Sequence, residues 1–496
     1  MSVFQTSVVT PEFLQNVAQK LKDKHFAQAQ ETVLSVLSHN PMHPQLWVFL
    51  AESLEHQNQP VDAWAAYNRA WILDPAAAWA PIAEQRLRPF QSATCSDWME
   101  RLLTVPTVTV SAALIVKDEA KTIVSVIEQL KKAVDEVVVV DTGSTDNTML
   151  LADKAGATVY QYAWDDSFAA ARNFALQRVT SDWVLFVDGD EVLNEADVTV
   201  PRVVAGLFNA QIPPFIVRVV QVNHIAGRTD PNYDMSRLFP TRFGLKWWGR
   251  IHEQVGPAEG GVYSTLYTRP VVRIRLDHHG YEPDVMTAKR KLERNIALLQ
   301  KTVEEDPGDV AAWGFVGREY YFSALFEEAV RTLYRTEDLS RAVPTYGRLP
   351  EVRTYLTEAL LRLDRLEEAR QVARRMIEET PQFPGGWYLR GRVELAMGVK
   401  MLEQAQTSFA EAKNRAPQYR GLVSYDATIP SYRAVVGMAD AAKLLGRWTD
   451  AIALYQQAST VLATPEVETQ LRYLSEEASR VVGRLQARTQ NGSSVH

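Results

Sequence analysis

Residues 110–148 read VSAALIVKDEAKTIVSVIEQLKKAVDEVVVVDTGSTDNT, and residues 180–193 read TSDWVLFVDGDEVL. VSAALIVK and DEVVVVD are short, rich in β-branched residues and bounded by polar turn formers, the pattern of strands buried on both faces. Between them Ile123, Val126, Ile127, Leu130 and Val134 recur at helical spacing, so the unit reads strand, helix, strand. The second strand breaks at Asp141 into a Thr-Gly-Ser-Thr-Asp turn, with Ser144 placed to cap a helix over 146–155. A third strand, residues 183–187, stops at Asp188-Gly189-Asp190. Acidic residues thus sit at the C-terminal ends of buried strands, where open α/β sheets place their ligands.

On either side the chain becomes helical and repetitive. Asn40-Pro41 and Asp74-Pro75 lie 34 residues apart, and Trp47, Leu50, Ala51, Leu54, Ala63, Tyr67 and Ala70 alternate large and small between them. That period is the signature of tetratricopeptide repeats. It returns at Asp306-Pro307, Thr380-Pro381 and Ala416-Pro417, with Trp313 and Trp387 set 74 apart, and Ala442–Ile452 reads as the turn inside one further unit. The expected layout is helical repeats over 1–95, an α/β domain over 107–285, four or five repeats over 288–485 and a polar, disordered tail over 486–496. In the second half of the α/β domain, residues 215–222 and 271–276 alternate as half-exposed strands do.

Composition narrows the function classes. A net charge of −7 and a pI near 5.8 argue against a nucleic-acid binder. The single cysteine, Cys95, excludes a disulfide framework and a cysteine-ligated zinc site. The N-terminus lacks the pattern of a signal peptide, and no stretch reaches the roughly 18 apolar residues of a membrane span, so a soluble, cytoplasmic protein is expected.

Asp188 and Asp190 point two carboxylates to one side of a strand end, a set suited to Mg²⁺ or Mn²⁺ completed by phosphate. Asp-x-Asp is equally a polar turn after a strand. Asp141, at the end of the neighbouring strand, is placed to accept an N–H of a pyrimidine base. Arg172 lies beside the apolar stripe of Phe168, Ala171, Ala175 and Val179, where a solvated arginine is the plain alternative.

LIVKDEAKTI, EVVVVDTGSTDNT, AWDDSFAAARNFAL and WVLFVDGDE, in that order across about 80 residues, resemble the nucleotide-sugar half of glycosyltransferase family 2, a family of GT-A fold enzymes with a mostly parallel, Rossmann-like sheet. SRLFP, GRIHE and HHGY resemble the branch of that family fused to tetratricopeptide repeats. The resemblance implies that Asp141 and Arg172 hold the nucleobase of a nucleoside-diphosphate sugar, most commonly a UDP-sugar. It implies that Asp188 and Asp190 hold Mn²⁺ or Mg²⁺ against the diphosphate, with His278 completing the metal site and His279 at a variable position. Gly189 departs from the Ala or third acid more usual there. For His278, a metal ligand and a structurally satisfied histidine both stand open.

A nucleoside diphosphate leaving group needs charge neutralisation more than a proton, while the acceptor hydroxyl needs a base. Glu253, after the Trp247-Trp248-Gly249-Arg250 loop, is the preferred base, with Asp234 and Glu191 as rivals and a salt-bridge role as the plain alternative. Direct displacement would invert the anomeric centre, as in the family. Trp247 and Trp248 are candidates to stack on a sugar or simply to pack, and Arg237 to contact phosphate. The acceptor expected is a peptide, protein or glycan oriented by the repeats. The alternative is a repeat scaffold around an inactive transferase domain, which would be expected to have lost one of these acids. Nucleotidyl transfer would share fold and metal, but Lys117-Asp118-Glu119 stands where a glycine-rich phosphate loop would be needed.

Overall fold

The computed structural model describes residues 9–225, 227–278, 285–398 and 402–491, in two compact units that divide between Pro283 and Asp284. The first unit opens with helices α1 (Pro11–Lys22), α2 (Phe26–Leu37), α3 (Pro44–His56), α4 (Pro60–Leu73), α5 (Ala80–Leu87) and α6 (Asp97–Leu103). Lys24 and Asn58 turn α1 into α2 and α3 into α4 with left-handed backbone (φ 61° and 59°), the 34-residue period written into the chain path. Trp47 donates its indole N–H to the carbonyl of Pro41 at 2.7 Å, tying helix α3 to the turn before it. Trp313 and Trp387 repeat this bond to Pro307 and Pro381 at 3.0 and 2.8 Å.

The α/β region follows as β1 (Val110–Val116), α7 (Ile123–Ala133), β2 (Glu136–Asp141), α8 (Thr148–Lys154), β3 (Thr158–Gln161), α9 (Phe168–Leu176), β4 (Trp183–Phe186), β5 (Glu191–Leu193), α10 (Val200–Phe208), β6 (Val217–Ile225), β7 (Arg228–Pro240), β8 (Leu245–Trp248), β9 (Gln254–Pro257) and β10 (Val271–His278). Eight strands form one sheet in the order β3-β2-β1-β4-β7-β6-β10-β5, while β8 and β9 make a separate ribbon. β1 runs parallel to both β2 and β4, β2 parallel to β3, and β7 is antiparallel to β4 and β6. The valines of β1 and β2 are buried on both faces, as their continuous apolar runs require.

β6 and β10 differ from the half-exposed strands that their alternation suggests. Arg218 and Arg273 are 7% and 4% exposed, so these two polar positions are covered, while Gln221 and Arg275 are half-buried. On β10 the cover comes from the N-terminal helices: α4 packs on the strand, and Ile72 joins the core beneath the sheet. The repeats expected as a separate domain over 1–95 therefore share a core with the α/β region. A second difference concerns Ser144. Its hydroxyl accepts the N–H of Asp118 at 2.9 Å, and Asp146 takes the N–H of Thr148 at the start of α8 at 2.9 Å.

The second unit consists of α11 (Val285–Glu305), α12 (Val310–Phe322), α13 (Phe326–Ser340), α14 (Leu349–Arg362), α15 (Leu366–Glu379), α16 (Pro384–Ala396), α17 (Leu402–Arg415), α18 (Ala434–Leu444), α19 (Trp448–Val461) and α20 (Pro465–Asn491). Left-handed residues at Ala324, Asp364, Gly398 and Gly446 turn α12 into α13, α14 into α15, α16 into α17 and α18 into α19. α20 carries residues 486–491, expected in the tail, as helix, and 492–496 lie outside the described residues, as do His279, Gly280 and Tyr281. No helix among the described residues is long and apolar enough to cross a membrane.

Candidate active site

The site lies at the C-terminal ends of β1, β2, β4 and β10. Two loops there are stitched together. Thr145 N–H donates to Asp118 Oδ1 at 2.7 Å, Glu119 N–H to Thr148 Oγ1 at 2.7 Å and Ala120 N–H to Asp146 Oδ2 at 3.2 Å. They frame Asp141, whose Oδ1 accepts the N–H groups of Gly143 and Ser144 at 2.9 and 2.8 Å. Its Oδ2 is buried with no hydrogen-bond partner. A buried carboxylate oxygen left without a donor is unfavourable by roughly 1–3 kcal/mol or more, so this atom is built to receive one.

A chain of alternating charges crosses the site. Glu253 Oε1 accepts from Arg172 Nε at 2.6 Å, and Arg172 Nη2 donates to Asp188 Oδ1 at 2.8 Å. Arg237 grips Asp188 with both nitrogens, Nη1 to Oδ1 at 3.0 Å and Nη2 to Oδ2 at 2.5 Å, and lies 3.8 Å from Glu191. Glu191 is fully buried and accepts from the Asp188 N–H at 3.0 Å and from Gln221 at 2.5 Å. Burial by itself would raise the Asp188 carboxyl, but the Arg237 and Arg172 guanidiniums outweigh it and hold the group far below the usual carboxylate range. Burial and the neighbouring Asp188 charge push Glu191 up instead.

These bonds define what each expected residue can do. Glu191 is enclosed and cannot reach an acceptor, which removes it as a rival base, while Asp234 is half-buried on β7. Glu253 is 11% exposed at its side chain and oriented by Arg172. Arg172, which the resemblance sets against the nucleobase, commits two nitrogens to Glu253 and Asp188 and stacks over Trp247 at 4.9 Å. Its Nη1 is the nitrogen left without a partner. Arg237, expected at phosphate, is 3% exposed and committed to Asp188. Trp247 packs in the core against Phe186 and Phe239, and Trp248 bonds to the Pro257 carbonyl at 2.9 Å beneath Lys246.

His278 and Asp190 meet at 3.1 Å, Nε2 to Oδ2, at the mouth of the sheet. His278 Nδ1 faces the amide oxygen of Asn223 at 2.9 Å, which orients the ring with Nε2 towards Asp190, and the hydrogen bond to Asp190 raises the imidazole above its ordinary value. One carboxylate oxygen and one imidazole nitrogen, the latter oriented by an amide behind it, is a donor set that fits a divalent ion shared with a diphosphate. Asp188 accepts guanidinium hydrogen bonds on both of its oxygens, so a metal ion there would compete with Arg172 and Arg237. Among the described residues no cage of three or more such groups converges.

Asn223 and Gln221 join the site without a motif in the sequence, their one signal being two polar residues alternating at the end of the apolar run FIVRVVQVN. Glu119 joins it too. A Cβ at Gly189 would meet Glu119 Cγ at 2.9 Å and Val116 Cγ1 at 3.2 Å, so the side chain of Glu119 fills the space that the family's usual residue takes.

A mostly parallel sheet with acids at its strand ends, extended by an antiparallel flank carrying a histidine, is a GT-A type architecture. Residues 111–211 match the Glycosyl transferase family 2 model, and residues 20–78 match a Tetratricopeptide repeat model. The chain therefore carries a family 2, GT-A type glycosyltransferase domain joined to tetratricopeptide repeats. It is 33% identical over 207 residues to a TPR repeat-containing protein of Synechococcus elongatus, covering 40% of this chain and 49% of that one. It is 25% identical over 258 residues to the SPbeta prophage-derived glycosyltransferase SunS of Bacillus subtilis, covering 51% and 58%. Among solved structures, glucosyl-3-phosphoglycerate synthase of Mycobacterium tuberculosis is 32% identical over 17% of this chain and 35% of that one, with a TM-score of 0.16. The chain spans about half the length of the curated relatives it matches.

Proposed function

We propose that the protein transfers a sugar, with inversion, from a UDP-sugar to a hydroxyl of a peptide, protein or glycan acceptor that the repeats orient. The observation that carries the donor reading is Asp141 Oδ2, a single buried acceptor without a donor. A uracil offers an N–H at N3 and a guanine one at N1, whereas cytosine and adenine present a lone pair at the corresponding ring nitrogen; uracil is chosen over guanine by the family resemblance. Asp190 and His278 would hold Mn²⁺ or Mg²⁺, which supplies positive charge to the departing diphosphate. Arg237 and Arg172 keep Asp188 ionised and fixed, and through it the turn that presents Asp190. Glu253, held by Arg172, takes the proton of the acceptor hydroxyl as its oxygen attacks C1 from the face opposite the diphosphate.

Calorimetric titration of UDP and GDP, with and without Mn²⁺, tests this reading. Metal-dependent UDP binding is expected in the native protein, weakened at least tenfold in Asp141→Asn, and indifferent to Mn²⁺ in Asp190→Asn. A folded protein that binds no nucleoside diphosphate overturns the reading.

A further inference from the structure

β10 has an unusual outer edge. Only its last three residues, Leu276–His278, pair with β5. Its pairing to β6 on the other side also slips between Val271 and Arg275. The ladder thus holds the His278 end of the strand on both sides, while residues 272–274 just before it are left to other contacts.

The missing constraint is supplied by Asp197 and by helix α4 of the N-terminal repeats. Asp197 is fully buried and accepts from the Arg275 backbone N–H at 3.0 Å, from Arg275 Nε and Nη2 at 2.7 and 2.9 Å, and from Arg273 Nε at 3.0 Å. One carboxylate thus faces two guanidiniums, with Glu84 near both and Asp277 near Arg275 adding negative charge. Burial draws the Arg273 guanidinium below its ordinary value in spite of Asp197. Helix α4 covers this cluster. The Trp71 ring lies 4.1 Å from the Arg273 guanidinium carbon and 5.4 Å from that of Arg275, and Asn68 Oδ1 accepts from Arg273 Nη2 at 2.9 Å. A desolvated cation over a tryptophan face is attracted about as strongly as by a charge-assisted hydrogen bond.

We infer that Trp71 and Asn68, in the N-terminal repeat, are positioning residues for the transferase site: they lock β10 in the placement that sets His278 opposite Asp190. Arg275 and His278 are three residues apart on one strand, so a shift at the first is carried directly to the second. The repeat is then a wall of the catalytic domain as well as a surface for partners. The inference rests on the reading of Asp190 and His278 as the metal pair.

The test uses the full chain with Trp71→Ala and Asn68→Ala, and with Trp71→Phe and Asn68→Asp, which keep the ring face and the acceptor oxygen. Phe26→Ala perturbs the same repeats where Phe26 stacks on His56, away from the sheet. Mn²⁺ affinity and amide exchange of residues 274–278 are read in each. The alanine variants are expected to weaken Mn²⁺ roughly tenfold, the usual effect of losing an outer partner of a ligand, and to speed exchange at 274–278. The conservative variants and Phe26→Ala should leave both near native. Equal effects of Phe26→Ala and Trp71→Ala, or unchanged exchange in Asn68→Ala, would overturn the inference. If His278→Ala and Asp190→Asn leave Mn²⁺ affinity unchanged, the metal reading fails. Exchange at 274–278 then decides the inference alone: selective loosening upholds the locking of β10, and none refutes it.

Discussion

Arg237 and Asp188 form a two-pronged ion pair at the centre of the site, with Nη1–Oδ1 at 3.0 Å, Nη2–Oδ2 at 2.5 Å and the arginine side chain 4% exposed. The first acid of the Asp-x-Asp turn is thereby held against a cation that the chain itself provides. Asp190, 39% exposed at its side chain, and the buried His278 beside it form a separate pair.

Removing that cation strands two acids. In Arg237→Ala, Asp188 keeps only Arg172 and the buried Glu191 loses its nearest positive charge. Breaking a buried pair from one side typically costs 3–5 kcal/mol. Because Asp188 is 32% exposed at its side chain, a loss of about 2–4 kcal/mol is expected, seen as earlier thermal unfolding of the transferase unit. Arg237→Lys should recover only part, since a point charge cannot make the two-pronged contact.

Glu253→Gln keeps an oxygen for Arg172 to bond while removing the basic carboxylate. Turnover should fall roughly 10²- to 10⁴-fold with UDP affinity near native, and thermal stability should drop less than in Arg237→Ala because the hydrogen bond to Arg172 is kept. Retained turnover would move the base to Asp234.

Gly189→Ala brings a methyl against Glu119 and Val116. A cost of about 1–2 kcal/mol is expected for this overpacking. Glu119→Ala should relieve it, so the double variant should be more stable than the sum of the two single changes predicts, by 0.5 kcal/mol or more in a denaturant cycle of about that resolution.

The C-terminal repeats should weaken in acid. Burial alone would raise Glu337, but hydrogen bonds from Arg375 and Arg353 at 2.8 Å each outweigh it and lower the group below its ordinary 4.5. A depressed carboxyl contributes stability that is complete above the unfolded value of 4.5 and is lost as pH falls through the folded value. The melting temperature of this unit should drop below pH 4.5, and Glu337→Gln should flatten that slope while lowering the plateau.

The sequence by itself determined the elements whose signal is local. Continuous valine runs specify strands buried on both faces, and the 34-residue spacing of Asn-Pro and Asp-Pro turns specifies stacked helix pairs, because each follows from backbone periodicity. Asp141, Asp188 and Asp190 were legible as strand-end acids for the same reason. Only the tertiary structure decided which charges meet. Arg172 and Arg237 lie 16 and 49 residues from Asp188, and Asn223 lies 55 from His278, distances over which no sequence period reports contact. Nor did alternation on β10 reveal that Arg273 is covered. An arginine reads as polar wherever it stands, and only the arrival of Trp71 and Asn68 from a helix some 200 residues earlier, 205 in the case of Asn68 and Arg273, made a buried position of it.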